Sequence, residues 1–206
     1  FDTDYKVCEE EGVDLIFAPS DAEMYLNSSS VKVSENKLAR ELCGSKRPGH
    51  FDGVCTVVTK LFNLIKPKIA IFGKKDYQQL SIIRQLVTDL NYSIEIIAIE
   101  TQREQSGLAM SSRNEQLNEI EKEKSSVIYE ALEAMAKSGE SKSENLIRLG
   151  KSIIEKESQI IEIDYLEVVD RSNMAKLEII DRPALVAIAV FIGKTRLIDN
   201  IEINFE

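Results

Sequence analysis

The chain has a single histidine, His50, and three cysteines, Cys8, Cys43 and Cys55, among its 206 residues. The cysteines are odd in number, and their spacing matches none of the patterns that bind zinc. We therefore expect no metal site made by protein side chains. We interpret the cysteines as unpaired thiols in a reducing compartment, which favours a cytoplasmic protein.

The sequence also lacks a long apolar run and an excess of positive charge. No stretch approaches the roughly 20 apolar residues of a membrane-spanning helix, so we expect no membrane contact. The formal net charge is −9. General nucleic-acid binding needs a basic face, so we expect no nucleic-acid partner. A local basic pocket for an anionic ligand is compatible with this balance.

The first informative cluster is F-G-K-K-D-Y-Q-Q, from Phe72 to Gln79. A short apolar run, Ile69 to Phe72, stops at Gly73, and charged and amide side chains follow before a helical pattern begins. This arrangement is typical of a buried parallel strand whose carboxyl end faces a ligand crevice. Gly73 allows a ligand to approach the backbone closely. The lysines suit phosphate, and Asp76 suits the N-cap of the next helix.

The second cluster is Q-S-G-L-A-M-S-S-R-N, from Gln105 to Asn114. It combines a flexible glycine, the adjacent hydroxyls of Ser111 and Ser112, and the forked, permanently charged guanidinium of Arg113. These groups can surround a triphosphate. Composition alone leaves open a second interpretation, a polar loop that ends in a helix N-cap, where Ser and Asn are common.

Up to about residue 102, strand and helix patterns alternate. Apolar residues at helical spacing predict helices over 54–65, ended by Pro67, and over 80–90. Short apolar runs predict strands at 15–18, 69–72 and 94–99. Strand–helix–strand at this rhythm implies a parallel sheet.

The pattern changes after Asn114. Charged amphipathic helices are predicted over 116–138 and 144–157. A half-exposed strand follows at 161–169, and an antiparallel hairpin forms from 184–192 and 196–201. We place a domain boundary near residue 102 and expect residues 103–206 to form a small α+β domain that acts as a lid.

Three motifs together resemble one family, the pantoate–β-alanine ligases, also called pantothenate synthetases. They are H-F-D-G-V-C-T-V-V-T-K-L-F-N-L-I-K-P (His50 to Pro67), F-G-K-K-D-Y-Q-Q (Phe72 to Gln79) and S-G-L-A-M-S-S-R-N (Ser106 to Asn114). The resemblance covers nearly the whole chain. It implies an α/β fold with a Rossmann-like parallel sheet of the nucleotidyltransferase and class I synthetase type, and a smaller C-terminal α+β domain. Residues 1–102 would then be the C-terminal part of the nucleotide-binding domain.

The resemblance implies an AMP-forming ligase that joins pantoate to β-alanine with ATP and Mg²⁺, a step of coenzyme A biosynthesis. In this family the pantoate carboxylate attacks the α-phosphorus of ATP, which gives pantoyl adenylate and pyrophosphate, and β-alanine then displaces AMP. A magnesium ion would bridge phosphate oxygens. No protein nucleophile is needed, so catalysis depends on positioning and charge stabilisation. The family also implies a homodimer.

Site residues are carried over by matching the family motifs. The positions matched to ATP binding are Gly73, Lys74, Lys75, Asp76, Gln102, Met110, Ser111, Ser112 and Arg113. The catalytic candidates among them are Lys75, Ser111, Ser112 and Arg113. The positions matched to pantoate binding are Gln79, Val58 and Leu61.

Several of these positions carry alternatives. Lys74 stands where the family usually has glutamate, and we expect its side chain to point away from the phosphates. Asp76 is expected to hold ribose or to cap the helix. Val58 and Leu61 also fit plain core packing. Gln78, beside the matched glutamine, reads as a surface residue.

The family's N-terminal G-x-L-H-x-G-H segment, which carries its catalytic histidines, does not occur in this sequence. We therefore expect this chain by itself to be inactive, and we interpret His50 as a structural hydrogen-bonding residue. Two other functions stay open. One is a related nucleotidyltransferase that acts on another small acid, and the other is a non-catalytic, truncated binding module.

Overall fold

The computed structural model describes residues 1–27, 29–157 and 159–204, and the chain divides into two compact units, residues 1–31 and residues 32–206. The first unit contains helices α1 (Asp2–Glu10) and α2 (Asp21–Met24). A capping box starts α2. The Ser20 side chain accepts from the Glu23 N–H at 3.3 Å, and the Glu23 carboxylate accepts from the Ser20 N–H at 2.9 Å.

The strand predicted at 15–18 is wrong. These residues have irregular structure, and the Leu15 side chain is 81% exposed. No described strand pairs with this segment. A strand needs a hydrogen-bonding neighbour, and an apolar run by itself does not supply one.

The unit of residues 32–206 holds the remaining helices and all the described strands. The helices are α3 (Leu42–Lys46), α4 (His50–Ile65), α5 (Tyr77–Asp89), α6 (Glu119–Lys137) and α7 (Ser143–Ile154). The strands are β1 (Ile69–Gly73), β2 (Glu95–Ile99), β3 (Ile161–Asp170), β4 (Ala184–Ile192) and β5 (Thr195–Ile203). Short 3₁₀ turns lie at Leu38–Arg40, Lys74–Asp76, Ser112–Gln116 and Glu155–Glu157.

Helix α4 shows how the apolar pattern produces the fold. Its buried residues are Phe51, Cys55, Val58 and Phe62, which recur at helical spacing and form one stripe. The helix ends just before Pro67, which cannot continue a helical hydrogen-bond ladder. The prediction of a helix here is confirmed, and so are those of α5, α6 and α7.

Strands β1 and β2 form a parallel pair, as predicted, with Gly73 opposite Ile99. One face of the pair packs on α4 and α5 through half-buried residues such as Phe72 and Ile96. The opposite face leaves Ile69 50% and Ile71 61% exposed. The expectation that β1 is buried is therefore wrong for the structure described, because helices cover only one face of this pair.

Strands β3, β4 and β5 form an antiparallel sheet with β4 in the middle. Alternate β4 side chains enter two apolar clusters. Val186 and Ile188 pack with α6 and α7, whereas Leu185 and Ala187 pack with α4 and α5. The predicted hairpin of β4 and β5 is confirmed. The expectation that β3 is half exposed is wrong, since most of this strand is buried between the same two layers.

The boundary that we place near residue 102 stays a prediction. Apolar residues from both sides of it, such as Ile82 and Leu185, belong to the same cluster. None of the helices in the described ranges is long and apolar enough to cross a lipid bilayer.

Candidate active site

A cavity of about 230 Å³ lies between the segments that follow β1 and one face of the β3–β4–β5 sheet. Its lining includes Lys75, Asp76 and Gln79 from the first sequence cluster and Arg113 from the second. The fold therefore brings residues of the two clusters to one cavity, although some thirty residues of chain separate them.

The two neighbouring lysines have different surroundings. The Lys74 ammonium donates to Glu100 Oε1 at 2.5 Å and to Glu202 Oε2 at 2.8 Å. Lys75 lines the cavity, and its ammonium has no ion pair or hydrogen bond among the residues that the structure describes. Of the two, Lys75 is the cation available to an anionic ligand.

The partners of Lys74 hold it in its charged form. Hydrogen bonds from Lys74 to Glu100 and Glu202 raise the pKa of the ammonium above its ordinary 10.5. Burial raises the pKa of Glu202, but the Lys74 hydrogen bond and the charge of Arg171 outweigh it, and the pKa lies below 4.5. Both groups are ionised at neutral pH, and they tie the end of β1 to β5.

Asn200 of β5 fixes the backbone of the 3₁₀ turn at Lys74–Asp76. Its Nδ2 donates to the carbonyl oxygens of Lys74 at 3.0 Å and Lys75 at 2.8 Å. Asp76 precedes α5, but its carboxylate makes no capping hydrogen bond. That predicted cap is wrong because the backbone of Asp76, at ψ 59°, departs from the extended geometry of capping residues. The carboxylate stays available at the cavity.

Of the two neighbouring glutamines, Gln78 departs from its predicted surface position. Gln79 is half-buried and lines the cavity, but Gln78, predicted on the surface, lines it too and is only 6% exposed. The Gln78 amide donates to the carbonyl oxygens of Leu38 at 2.8 Å and Glu41 at 2.7 Å. Helical spacing could have indicated that Gln78 is buried, because it lies four residues before the fully buried Ile82 and therefore on the same helix face.

His50 also lines this cavity, although the sequence predicts only a structural role for it. Burial and the charge of Arg47 lower the pKa of His50 from 6.5, and the opposing charge of Asp76 is smaller. Arg47 Nη1 lies 3.1 Å from His50 Nε2. A guanidinium can only donate, so Nε2 accepts and the neutral ring carries its proton on Nδ1.

Arg196 of β5 is a second lining residue that motif reasoning missed. Its Nε and Nη2 donate to Asp164 Oδ2 at 3.1 Å and 2.8 Å. With Arg47, Lys75 and Arg113 it gives the cavity four cationic side chains, of which Arg196 is already paired with Asp164. Of the two lining aspartates, Asp76 and Asp199, the second is already paired with an arginine outside the cavity. The protein is acidic overall, but this cavity favours anions.

The hydroxyls of the second cluster lie elsewhere. Met110, Ser111 and Ser112 line a separate surface depression with Asn114. The Ser111 side chain accepts from the Arg113 N–H at 3.3 Å and caps the 3₁₀ turn Ser112–Gln116. The structure thus realises the capping interpretation for Ser111, while it brings Arg113 alone of these residues to the cavity of Lys75.

Arg103 anchors the beginning of the loop from Gln105 to Asn114. The Arg103 guanidinium donates to the Gly107 carbonyl at 3.0 Å and to both carboxylate oxygens of Asp199, at 2.6 and 3.0 Å. It also lies 3.8 Å above the ring of Tyr129. Gly107 has a φ of +89°, and the same tyrosine ring covers it.

The remaining predicted residues have less direct positions. The exposed Gln102 accepts from the Met110 N–H at 2.9 Å through its backbone carbonyl. Val58, on α4, is buried in the apolar cluster between α4 and α5, which fits its core-packing alternative. Leu61 is half-buried on the same helix. Gly73 ends β1 with open space where a side chain would stand. In the described part of the chain, no group of three His, Cys, Asp or Glu side chains is placed to hold a metal ion.

Comparison with known proteins identifies the family. A sequence profile described as Pantoate-beta-alanine ligase matches residues 1–202. A pantothenate synthetase of Clostridium botulinum (strain Kyoto / Type A2) is 46% identical over 199 residues, which is 96% of this chain and 71% of that protein. Another of Thermosipho africanus is 46% identical over 200 residues, again 96% of this chain and 71% of that protein.

Solved structures agree with the sequence relatives. The crystal structure of pantothenate synthetase from Thermus thermophilus superposes with a TM-score of 0.93 at 38% identity, covering 99% of this chain and 75% of that chain. A pantoate-beta-alanine ligase from Francisella tularensis, complexed with beta-gamma ATP and beta-alanine, gives a TM-score of 0.77 at 34% identity. That match covers 97% of this chain and 69% of that chain. The α/β fold is thus the one predicted, and the chain belongs to the pantoate–β-alanine ligase family.

Proposed function

We propose that the protein joins pantoate to β-alanine with ATP, through a pantoyl adenylate, and releases pantothenate, AMP and pyrophosphate. The observation that carries this proposal is Lys75, a cation without a protein partner among the described residues, at a cavity that also contains Arg113 and Gln79. Family membership supplies the reaction class, and a relative from F. tularensis was solved with beta-gamma ATP and beta-alanine.

We assign the nucleotide phosphates to the cationic side of the cavity. Lys75 and Arg113 neutralise charge on the phosphates, and Asp76, which does not cap its helix, accepts from ribose hydroxyls. Gly73 gives the ligand close access to the backbone. Gln79 hydrogen-bonds pantoate. Val58 and Leu61 do not line this cavity in the structure, and the apolar wall that the family assigns to them stays a prediction.

The remaining assignments depend on the loop. Ser111, Ser112 and Met110 reach the phosphates of a bound nucleotide when the loop moves toward Lys75, and Gln102 contacts adenine through its backbone. Lys74 contributes through the backbone of its turn, since Glu100 and Glu202 hold its ammonium.

The chemistry that these residues supply is electrostatic. Attack by a carboxylate on the α-phosphorus places negative charge on the phosphate oxygens, and fixed cations in a partly enclosed cavity stabilise that charge. The described residues offer no side-chain cage for Mg²⁺. A magnesium ion that enters on the nucleotide would use phosphate oxygens and water as ligands, as is usual for this ion.

Isotope transfer tests the adenylate directly. Pantoate labelled with ¹⁸O in its carboxylate is incubated with the full-length protein, ATP, Mg²⁺ and β-alanine, and the products are analysed by phosphorus NMR and mass spectrometry. We expect AMP that carries one ¹⁸O, because a carboxylate oxygen bridges to phosphorus in the adenylate and leaves with AMP. ADP and phosphate as products, or unlabelled AMP, would contradict the proposal.

The same assay separates the competing functions. Replacing pantoate with lactate, a smaller hydroxy acid, is the matched control, and we expect no AMP from it. AMP formation with lactate but not with pantoate would favour a nucleotidyltransferase of different specificity. Binding of ATP without any turnover of the full-length protein would favour a binding module.

We further propose that the protein is a cytoplasmic homodimer that serves coenzyme A biosynthesis. The resemblance to the family implies the pathway and the dimer, and three cysteines that are free in the structure are compatible with a reducing compartment. Sedimentation equilibrium tests the dimer, for which we expect twice the mass of one chain.

A further inference from the structure

We infer that Asp199 and Asn200, adjacent residues of β5, are positioning residues that couple the Lys74–Asp76 turn to the loop from Gln105 to Asn114. The inference rests on the proposed function, because it concerns how two nucleotide-binding segments are held in register. Neither residue was singled out by the sequence motifs.

Asn200 holds the turn. Its Nδ2 donates to the carbonyl oxygens of both Lys74 and Lys75, and the residue is only 8% exposed. Two acceptors on one amide nitrogen fix the direction of that side chain. The backbone of Lys75 is thereby fixed to β5, while its ammonium lies at the cavity without a partner among the described residues.

Asp199 holds the loop. Its carboxylate is 4% exposed and makes a forked pair with Arg103, which in turn donates to the carbonyl of Gly107. A buried forked pair of this kind has little freedom to reorient, and breaking it would leave a buried charge without a partner. The position of Gly107 therefore follows the position of Asp199.

The two anchoring residues are connected directly on β5. Asp199 Oδ1 accepts from the backbone N–H of Asn200 at 2.8 Å. Strand β5 is paired with β4 along its whole length, and neighbouring side chains on a strand point to opposite faces. A displacement of the loop is thus passed through Arg103 and β5 to the turn that presents Lys75.

A coupling of this kind has a signature that simple stabilisation lacks. If β5 holds the two segments in register, the contributions of Lys75 and Arg113 to nucleotide affinity depend on each other. Residues that interact or share a support show non-additive substitutions, whereas independent residues add within about a factor of two in affinity.

The test is a double-mutant cycle of Lys75→Met and Arg113→Met. Dissociation constants for a non-hydrolysable ATP analogue are measured by calorimetry in the full-length protein, first in the natural background and then with Asn200→Ala. In the natural background, we expect the loss of affinity in the double variant to differ roughly tenfold from the product of the two single losses. In the Asn200→Ala background we expect the two substitutions to act independently. The loss of affinity in the double variant should then equal the product of the two single losses within about a factor of two.

Two further variants make the outcome decisive. Asn173→Ala removes an exposed turn asparagine that accepts from the Ala175 N–H, and it should leave the coupling unchanged. Asp199→Asn keeps the side-chain shape but removes the charge that pairs with Arg103, and it should abolish the coupling as Asn200→Ala does. Asp199→Asn also serves if Asn200→Ala does not fold.

The possible failures can be told apart. Additive effects in the natural background, or coupling that survives both β5 substitutions, would overturn this inference and leave the proposed function intact. If neither Lys75→Met nor Arg113→Met changes the affinity, the proposed function fails, and this inference fails with it.

Discussion

Replacing Lys74 and Lys75 one at a time with methionine separates catalysis from stability at two neighbouring positions. Methionine keeps most of the aliphatic stem and removes the charge. The structure gives Lys74 two carboxylate partners, whereas Lys75 has none within the described residues and lines the cavity. We therefore expect the two substitutions to affect different measurements.

For Lys75→Met, we expect a large loss of rate and little change in stability. Removing one charge that stabilises a transition state in a preorganised site typically costs about a hundredfold to a thousandfold in rate. Since no ion pair is lost, the free energy of unfolding should change by less than about 0.5 kcal/mol.

For Lys74→Met, we expect the reverse. Glu100 is 75% exposed, so its pair with Lys74 contributes about 0–1 kcal/mol. The pair with Glu202 is less exposed, at 22% and 21%, but Glu202 keeps Arg171 at 2.7 Å when Lys74 is removed. Together these losses come to about 1–2 kcal/mol, which lowers Tm by roughly 2–8 °C for a chain of this size.

The assay combines thermal unfolding with single-turnover formation of the adenylate in the full-length protein. Lys74→Met should keep its rate within about fivefold of the natural protein, because its ammonium does not reach the cavity. Equal losses of rate at the two positions, or a larger loss at Lys74, would refute the assignment. A fall in Tm for Lys75→Met that matches the fall for Lys74→Met would show that Lys75 has a structural partner.

Three more predictions concern single residues. Because burial lowers the pKa of His50 from 6.5, the folded state binds fewer protons than the unfolded state below that pH. The free energy of unfolding should therefore fall as the pH drops through and below 6.5, and His50→Gln should flatten this fall in urea titrations. Gly150→Ala should cost about 1–3 kcal/mol, because a Cβ there overlaps the side chain of Met135. Gly53→Ala, its matched control in a helix with open space, should stabilise by about 0.5–1 kcal/mol, so equal losses in thermal unfolding would contradict the packing argument. Gly107→Ala should cost about 1–3 kcal/mol, since its φ is +89° and a Cβ would lie 2.8 Å from the tyrosine ring that covers it, and an unchanged Tm would count against this.

The sequence predicted elements best where local pattern decides them. Helices α4 to α7 and the strands after residue 68 follow apolar spacing and the stops at Gly and Pro, which act over a few residues. The segment at 15–18 failed because a strand also needs a neighbour, and a single sequence does not show whether one is present. Burial of β1 and β3 failed for a related reason, since it depends on which faces other elements cover.

The candidate site divides in the same way. Lys75, Asp76, Gln79 and Arg113 belong to motifs and were predicted, and the fold brings them to one cavity. Arg196 lies in β5, more than eighty residues from Arg113, and no local pattern connects the two. Gln78 could have been recognised from helical spacing. That His50 meets Lys75 and Arg196 at one cavity depends on the tertiary arrangement, which no local pattern shows.

The central position of β4 has a consequence for misfolding. Its sequence, from Ala184 to Ile192, is A-L-V-A-I-A-V-F-I, without charge or proline, and such segments readily form intermolecular β-structure when exposed. In the folded chain β3 and β5 satisfy both of its edges. The flanking sequence carries Arg182-Pro183 on one side and Lys194 on the other, residue types that oppose aggregation at the ends of apolar strands. Detachment of β5 would free one edge of this segment, so the hairpin that presents Asn200 to the cavity also protects β4 from aberrant β-pairing with other chains.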